Sequence, residues 1–150
     1  DLMIVLSTMY ADAAKSMGDF ETASKTIDNL IKLRPSLPLN HQSIALIYEK
    51  ENKGEAALNA WKKAYNLDPY LAFIANRYFM AIARYKSIND AINFIDSHIS
   101  FLDKSGFTSS MKNMEYLKAC ILLKPNELYP PEGDRFLQLY YKQIEVRSRN

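Results

Sequence analysis

The sequence repeats with a period of 34 residues, and this period restricts the fold more than any other feature. A shift of 34 residues superimposes small residues and then large apolar residues four positions later, namely Ala23, Ala57 and Ala91, followed by Ile27, Trp61 and Ile95. Arg34-Pro35 likewise falls on Asp68-Pro69, and the third copy has Asp103 where a proline is expected. Three consecutive units are therefore predicted, at about 4–37, 38–71 and 72–105.

Each unit contains two apolar stripes with helical spacing. The first stripes comprise Tyr10, Ala11 and Ala14, then Ile44, Ala45 and Tyr48, then Tyr78, Phe79 and Ile82. The second stripes comprise Ala23, Ile27, Leu30 and Ile31, then Ala57, Trp61, Ala64 and Tyr65, then Ala91, Ile95 and Ile99. Because each stripe is expected to be buried, every unit should fold as two antiparallel helices.

Turn residues separate these predicted helices. Gly18 is expected to end the first helix of the first unit, and the polar stretches 51–54 and 86–90 take its place in the later units. Pro35 and Pro69 should end the second helices, because proline lacks the backbone N–H and pushes its predecessor out of helical geometry. The alanines at 23, 57 and 91 are expected where the paired helices approach closely, since a larger side chain would overpack there.

The segment from Gly54 to Pro69, GEAALNAWKKAYNLDP, combines a small residue, an aromatic residue four positions later and a terminal proline within this period. In these features the chain resembles the tetratricopeptide repeat (TPR) family over about residues 4–105. It departs from the family pattern at Ser7, His41 and Ala75, where Trp is favoured, and at His98, which replaces a small residue. The resemblance implies an all-α fold, a right-handed superhelix of antiparallel helix pairs, formed by three TPR units within residues 1–105.

The last third, residues 106–150, does not continue the repeat, because Pro125 falls where Ala91 would recur. A helix is predicted from Ser109 to Leu123, with Ser109 or Ser110 as its N-cap. A final helix at about 134–147 follows. Because a repeat array needs an end element, we interpret this region as a helical cap in the same domain. The alternative is a docking or self-association surface formed by Phe136, Tyr140 and Tyr141.

Composition limits the range of functions. The formal net charge is only +2, and the first-helix positions alternate in sign, so nucleic-acid binding is not expected. No apolar run approaches the ~18 residues that a membrane-spanning helix needs, so we expect a soluble domain without membrane insertion. The single cysteine, Cys120, is expected to be a buried structural thiol and leaves the compartment open between cytoplasm and periplasm.

Residues that would carry catalysis or hold a cofactor are not arranged in any recognised motif. His41 and His98 are the only histidines and belong to no HExxH or Cys/His cluster, so no metal site is expected. His98 should lie in a helix interface, with a pH switch as the alternative. Glu49 and Glu51 are interpreted as solvated charges. We expect a non-enzymatic protein without a cofactor.

The resemblance implies that the first helix of each unit lines a concave binding surface, and helical spacing selects the positions that face away from the buried stripe. These candidate groove positions are Thr8, Met9, Asp12 and Lys15, then Gln42, Ser43, Leu46 and Glu49, then Phe73, Asn76, Arg77, Met80 and Arg84. The third set could hold an acidic or carboxylate-terminated peptide between Arg77 and Arg84. For each position the alternative is a merely solvated side chain.

The function implied is a protein-interaction scaffold that binds a peptide or helix of another protein. Chaperone-binding members of the family clamp a terminal carboxylate at five positions, which here are Thr8, Asp12, Ser43, Phe73 and Arg77. Only Arg77 fits, and Asp12 would repel the carboxylate, so a heat-shock cochaperone is not expected. The alternative function is a spacer within a longer solenoid of an assembly or secretion complex, which docks or self-associates through its ends.

Overall fold

A computed structural model describes residues 2–123, which contain seven α-helices. They are α1 (Leu2–Ser16), α2 (Phe20–Leu33), α3 (Pro38–Lys50), α4 (Gly54–Leu67), α5 (Ala72–Tyr85), α6 (Ile88–Lys104) and α7 (Thr108–Leu123). Two of the first six helices fall in each predicted segment of about 34 residues, as the apolar stripes predict. The chain divides into two compact units, Asp1–Tyr78 and Phe79–Asn150.

In the unit Asp1–Tyr78, α1 packs on α2, α2 on α3, and α3 on α4. The alanines at the expected close approaches, Ala23 and Ala57, are fully buried, and Trp61 lies one turn after Ala57 in the same interior. A side chain larger than alanine at these positions would separate the paired helices. The rings of Tyr65 and Tyr78 meet with their centroids 5.2 Å apart.

The turns follow the expected chemistry. Gly18 and Asn52 occupy equivalent positions and both adopt positive φ, 80° and 58°, which glycine and asparagine tolerate best. In each turn the next backbone N–H donates back into the helix, from Asp19 to Ala14 O at 2.9 Å and from Lys53 to Tyr48 O at 2.8 Å. These bonds satisfy carbonyls that a helix end would otherwise leave unpaired.

Proline sets the length of the second helices. Helices α2 and α4 end at Leu33 and Leu67, two residues before Pro35 and Pro69, and each contains 14 residues. Helix α6 has no proline at the equivalent position and extends to Lys104 over 17 residues. The longer third helix is therefore a direct result of Asp103 replacing proline.

In the unit that begins at Phe79, α6 packs on α7. The interior comprises Ala91, Ile95 and Leu102 of α6 and Met114, Leu117, Cys120 and Ile121 of α7. Cys120 is buried, as expected from its apolar neighbours. An exposed ion pair joins the two helices, from Lys118 Nζ to Asp96 Oδ1 at 2.7 Å.

Two local predictions are wrong. Tyr10 was expected in the buried stripe of α1, but 59% of its surface is exposed, whereas its stripe neighbours Ala11 and Ala14 are buried. Ser109 and Ser110 do not cap α7, because the helix begins at Thr108 and the Met111 N–H already donates to Phe107 O at 3.1 Å. The described helices include none that is long and apolar enough to cross a membrane.

Candidate peptide-binding site

Three of the groove positions on α1 are polar and at least partly accessible, namely Thr8, Asp12 and Lys15. Asp12 is exposed, and Lys15 Nζ lies 3.3 Å from its Oδ1. Thr8 is half-buried and donates from Oγ1 to Ile4 O at 2.8 Å within the helix. Because the lysine partly neutralises Asp12 and the threonine hydroxyl is engaged by its own backbone, this part of the surface offers little charge to a ligand.

Glu49 on α3 is not a groove residue. Its side chain is buried, and Oε1 accepts a hydrogen bond from Trp61 Nε1 at 3.0 Å. The expectation that Glu49 is a solvated charge on the binding surface is therefore wrong. The carboxylate instead satisfies the indole N–H of the fully buried Trp61, which would otherwise lack an acceptor in the interior.

On α5, Asn76, Arg77 and Met80 are buried, which corrects the prediction that they face away from the interior. Every residue from Ile74 to Ala83 is buried, so α5 has no solvent-exposed face over ten residues. The signal was present in the sequence, because this stretch, IANRYFMAIA, contains only two polar residues. A helix that is apolar on all sides is expected to be enclosed.

Among the candidate groove positions on α5, Phe73 is the exposed residue. The residue is 41% exposed, and the guanidinium carbon of Arg77 lies 5.3 Å from the ring centroid. Arg84 is half-buried and its guanidinium lies 5.6 Å from the ring centroid of Tyr85. Both arginines are thus stacked on aromatic rings, and the surface presented at Phe73 is apolar.

Two side-chain amides occupy equivalent positions one repeat apart, Gln42 on α3 and Asn76 on α5. Gln42 Oε1 and Asn76 Oδ1 are both buried, and neither oxygen has a hydrogen-bond partner. An unsatisfied buried acceptor destabilises a protein by roughly 1–3 kcal/mol, so such groups are uncommon unless an ordered water or a ligand supplies the donor. Helical spacing in the sequence placed both residues among the groove positions, but only the structure shows that the side-chain oxygen of each lacks a hydrogen-bond donor.

The rings of both histidines are engaged in packing or hydrogen bonding within the fold. His98 lies between Phe79 and Phe101, with ring centroids 5.3 and 5.7 Å away, as expected for a helix interface. Burial lowers the pKa of His98 to about 4, so its ring is neutral at pH 7. His41 Nε2 donates to Pro35 O at 2.8 Å. Among residues 2–123, no three His, Cys, Asp or Glu side chains are grouped so that they could hold a metal ion.

The remaining predicted surface, Phe136, Tyr140 and Tyr141, lies outside the described residues, as does the final helix predicted at about 134–147. The proposed cap and its alternative, a self-association surface, therefore stay predictions.

No protein-family model matches this sequence, and no curated protein matches it. The structure is similar to a solved structure, the TPR2B-domain:pHsp70-complex of yeast Sti1, with a TM-score of 0.61 and 18% sequence identity. The match covers 79% of this chain and 95% of that chain. With seven α-helices in residues 2–123, the chain therefore has the all-α repeat fold of tetratricopeptide domains.

Proposed function

We propose that the chain is a non-enzymatic protein-interaction module that binds an extended peptide segment of a partner protein along α3 and the start of α5. The unused acceptors of Gln42 and Asn76 carry this proposal. A peptide backbone offers an N–H donor at nearly every residue, and a side-chain amide can both accept from and donate to a peptide group. The similar yeast domain is named as a complex with pHsp70, so the fold has a member that holds a protein ligand.

Phe73 is proposed to contribute the apolar contact. It precedes Asn76 by three residues and Arg77 by four, so the three side chains are neighbours on the helix surface. Because Asn76 Oδ1 is inaccessible to solvent, a peptide would reach it only after neighbouring side chains move. Binding would then replace an unsatisfied acceptor by a hydrogen bond and cover an exposed aromatic ring.

The chemistry of the site favours an apolar, uncharged segment over a carboxylate. Arg77 is 6% exposed and stacked beneath Phe73, and Arg84 is stacked on Tyr85. Asp12, at another of the five clamp positions, carries a negative charge beside Lys15. The proposed ligand is therefore recognised by its backbone and one apolar side chain, and the arginine-clamp hypothesis becomes the weaker alternative.

The test compares the wild type with the Gln42→Leu/Asn76→Leu double variant in selections from a random 12-residue peptide display library. We expect the wild type to enrich peptides with an apolar anchor and the variant to lose at least tenfold in affinity for them. The variant should also be more stable than the wild type to urea, because leucine removes two unsatisfied buried acceptors. If the two amides served only to stabilise the fold, the double variant would instead be less stable to urea than the wild type.

Asn66→Leu is the matched control, since Asn66 is an exposed amide on α4 and lies outside the proposed site. It should leave peptide binding unchanged. If the selected peptides bind the wild type and the double variant equally, or if nothing is enriched, the proposed function is wrong.

A further inference from the structure

Helix α1 carries an exposed, uncharged stripe that the proposed peptide site does not use. This outer stripe consists of Leu2, Leu6, Tyr10 and Ala13, with Met17 just beyond the helix end, and Met9 flanks it. The exposed fractions of Leu6, Tyr10 and Met17 are 52%, 59% and 85%. Counted from Leu6, the residues Leu6, Tyr10, Ala13 and Met17 have the spacing i, i+4, i+7 and i+11, which places them on one face of the helix. Such a continuous apolar face marks an interaction surface.

The same face is buried in both later repeats. At the positions equivalent to Leu6, Tyr10 and Ala13, α3 has Asn40, Ile44 and Ile47, and α5 has Ile74, Tyr78 and Ala81, all of them buried. Tyrosine stands at the middle position in both α1 and α5. The exposure of the outer stripe is therefore not a property of the residues. It reflects the absence, among the described residues, of a helix placed on this face of α1.

The structure shows what covers this face in the second repeat. Helix α2 packs on α3, and Asn40 Nδ2 donates to Leu30 O at 3.3 Å while His41 donates to Pro35 O. Ile31 of α2 and Ile44 of α3 line one cavity of about 330 Å³ between the helices. The covering element is thus an amphipathic second helix whose buried residues are Ala23, Ile27 and Leu30.

We propose that the outer stripe of α1 is a docking surface for the second helix of a further TPR-type helical hairpin, carried by a partner protein. That helix would pack on α1 as α2 packs on α3. A cavity of about 180 Å³ beside the stripe, lined by Ile4, Ser7 and Leu33 among others, leaves room for one apolar side chain of the partner. This surface is separate from the peptide site, so either proposal can fail without the other.

The chemistry of the docking differs from that of the internal interface. Leu6 and Ser7 replace Asn40 and His41, the two residues that bind carbonyls at the end of α2. Contact at the outer stripe therefore depends on apolar burial. This face has neither an amide nor an imidazole that could donate a hydrogen bond to the carbonyls at the end of the partner's helix. Since the stripe contains no charge, the association should be insensitive to salt.

The experiment uses α2 itself as the probe, because it is the helix that covers the equivalent face of α3. A synthetic peptide of residues 20–36 is closed by a lactam between Glu21 and Lys25, whose side chains already lie 2.7 Å apart on the exposed face. Circular dichroism establishes that the peptide is helical. The full chain, with ¹³C-methyl methionine, is titrated with this peptide to millimolar concentration and followed by NMR.

The six methionines provide an internal comparison. We expect the methyl signals of Met9 and Met17 to shift and saturate, while those of the buried Met80 and Met114 stay in place. The Leu6→Asp/Tyr10→Asp variant should lose the shifts without losing its fold, because both positions are exposed. A peptide with Ile27→Asp is the matched control and should produce no shifts.

Unchanged Met9 and Met17 signals with the helical peptide would overturn the proposal, as would equal shifts in the Leu6→Asp/Tyr10→Asp variant. Sedimentation velocity of the wild type alone gives the third decisive outcome. A dimer that this variant dissociates would assign the outer stripe to a second copy of the chain, and the proposed partner hairpin would then be wrong.

Discussion

Helices α1 and α5 occupy the same place in the first and third repeats, yet their surroundings are opposite. Helix α5 is buried on every side from Ile74 to Ala83, whereas α1 exposes the face that contains Leu6 and Tyr10. Tyrosine occurs at the same repeat position in both helices, 59% exposed at Tyr10 and 4% exposed at Tyr78. A repeat position therefore specifies a helix face but not its burial, which depends on the helices placed beside it.

The two tyrosines provide the strongest test of this comparison. Tyr78→Ala should lower the free energy of unfolding by about 3–4 kcal/mol, because it removes a buried ring that contacts Tyr65. Tyr10→Ala should change it by less than about 0.5 kcal/mol, since this ring is mostly exposed. Urea denaturation measures both values. Similar losses for the two variants would show that α1 is as enclosed as α5.

The surroundings of α5 also predict a pH dependence, through His98 and its contact with Phe79. Burial lowers the pKa of His98 to about 4 from its ordinary value of 6.5, so between these values the unfolded chain binds the proton and the folded chain does not. Stability should therefore fall as the pH falls through this window, by about 2–3 kcal/mol between pH 7 and pH 4.5.

The matched control for this effect is His98→Leu, since leucine stands at the equivalent position 30 of the first repeat. The variant should lose less stability on acidification, and the difference between the two proteins isolates the histidine from the carboxylates. If both lose the same amount, the ring of His98 titrates normally in the folded state.

A third test uses Glu49, whose equivalent in α1 is Lys15. Glu49→Ala leaves the indole N–H of Trp61 without its acceptor and should lower the free energy of unfolding by about 2 kcal/mol. Glu49→Gln keeps an acceptor and should lower it less, while Lys15→Ala on the surface should have almost no effect. Because Trp61 is the only tryptophan, its fluorescence reports directly on this site. An unchanged emission and stability in Glu49→Ala would contradict the buried pair.

The smallest effects concern the residues that begin the second helices. Asp19, Lys53 and Ser87 are equivalent; Asp19 accepts from the Thr22 N–H at 3.2 Å and Ser87 accepts from the Asp90 N–H at 3.0 Å. A lysine ammonium has no acceptor and cannot cap α4 in this way.

Ser87→Ala should therefore lower the free energy of unfolding by about 1 kcal/mol, and Lys53→Ser should raise the Tm by supplying the missing cap. Thermal unfolding followed by circular dichroism measures both changes. Ser97→Ala, the same substitution inside α6, should not destabilise the protein, because Ser97 only bonds back to Asn93 O. A loss at Ser97 equal to that at Ser87 would exclude capping as the cause.

Much of the helix pattern could be predicted from the sequence, because its causes are local. Gly18, Asn52, Pro35 and Pro69 end helices through backbone geometry that each residue carries wherever it stands. The apolar stripes of the second helices were also predicted well, with Ala23, Ala57 and Ala91 all fully buried. The start of α7 was predicted at Ser109, whereas the helix begins at Thr108. Phe107 and the serines after Thr108 are all compatible with a helix that begins nearby, so the sequence does not single out one first residue.

The candidate site could be predicted only in part. Helical spacing selected Gln42, Phe73 and Asn76, but it could not show that two amide oxygens lack donors or that Arg77 lies under Phe73. It also placed Glu49 in solvent, because its acceptor role depends on Trp61, twelve residues away on another helix. Such contacts between helices have no signature in the spacing of a single helix.

The 34-residue period, the positions of the helices and the turns between them were determined by the sequence alone, since periodicity and turn chemistry act over a few residues. Which faces of the first helices are covered was decided only by tertiary structure. Each first helix has several faces. The sequence of one helix identifies its most apolar face, but it does not show which helices pack against its other faces. Tyr10 and Tyr78 have the same side chain and the same repeat position, and only the helices beside them make one a surface residue and the other part of the interior.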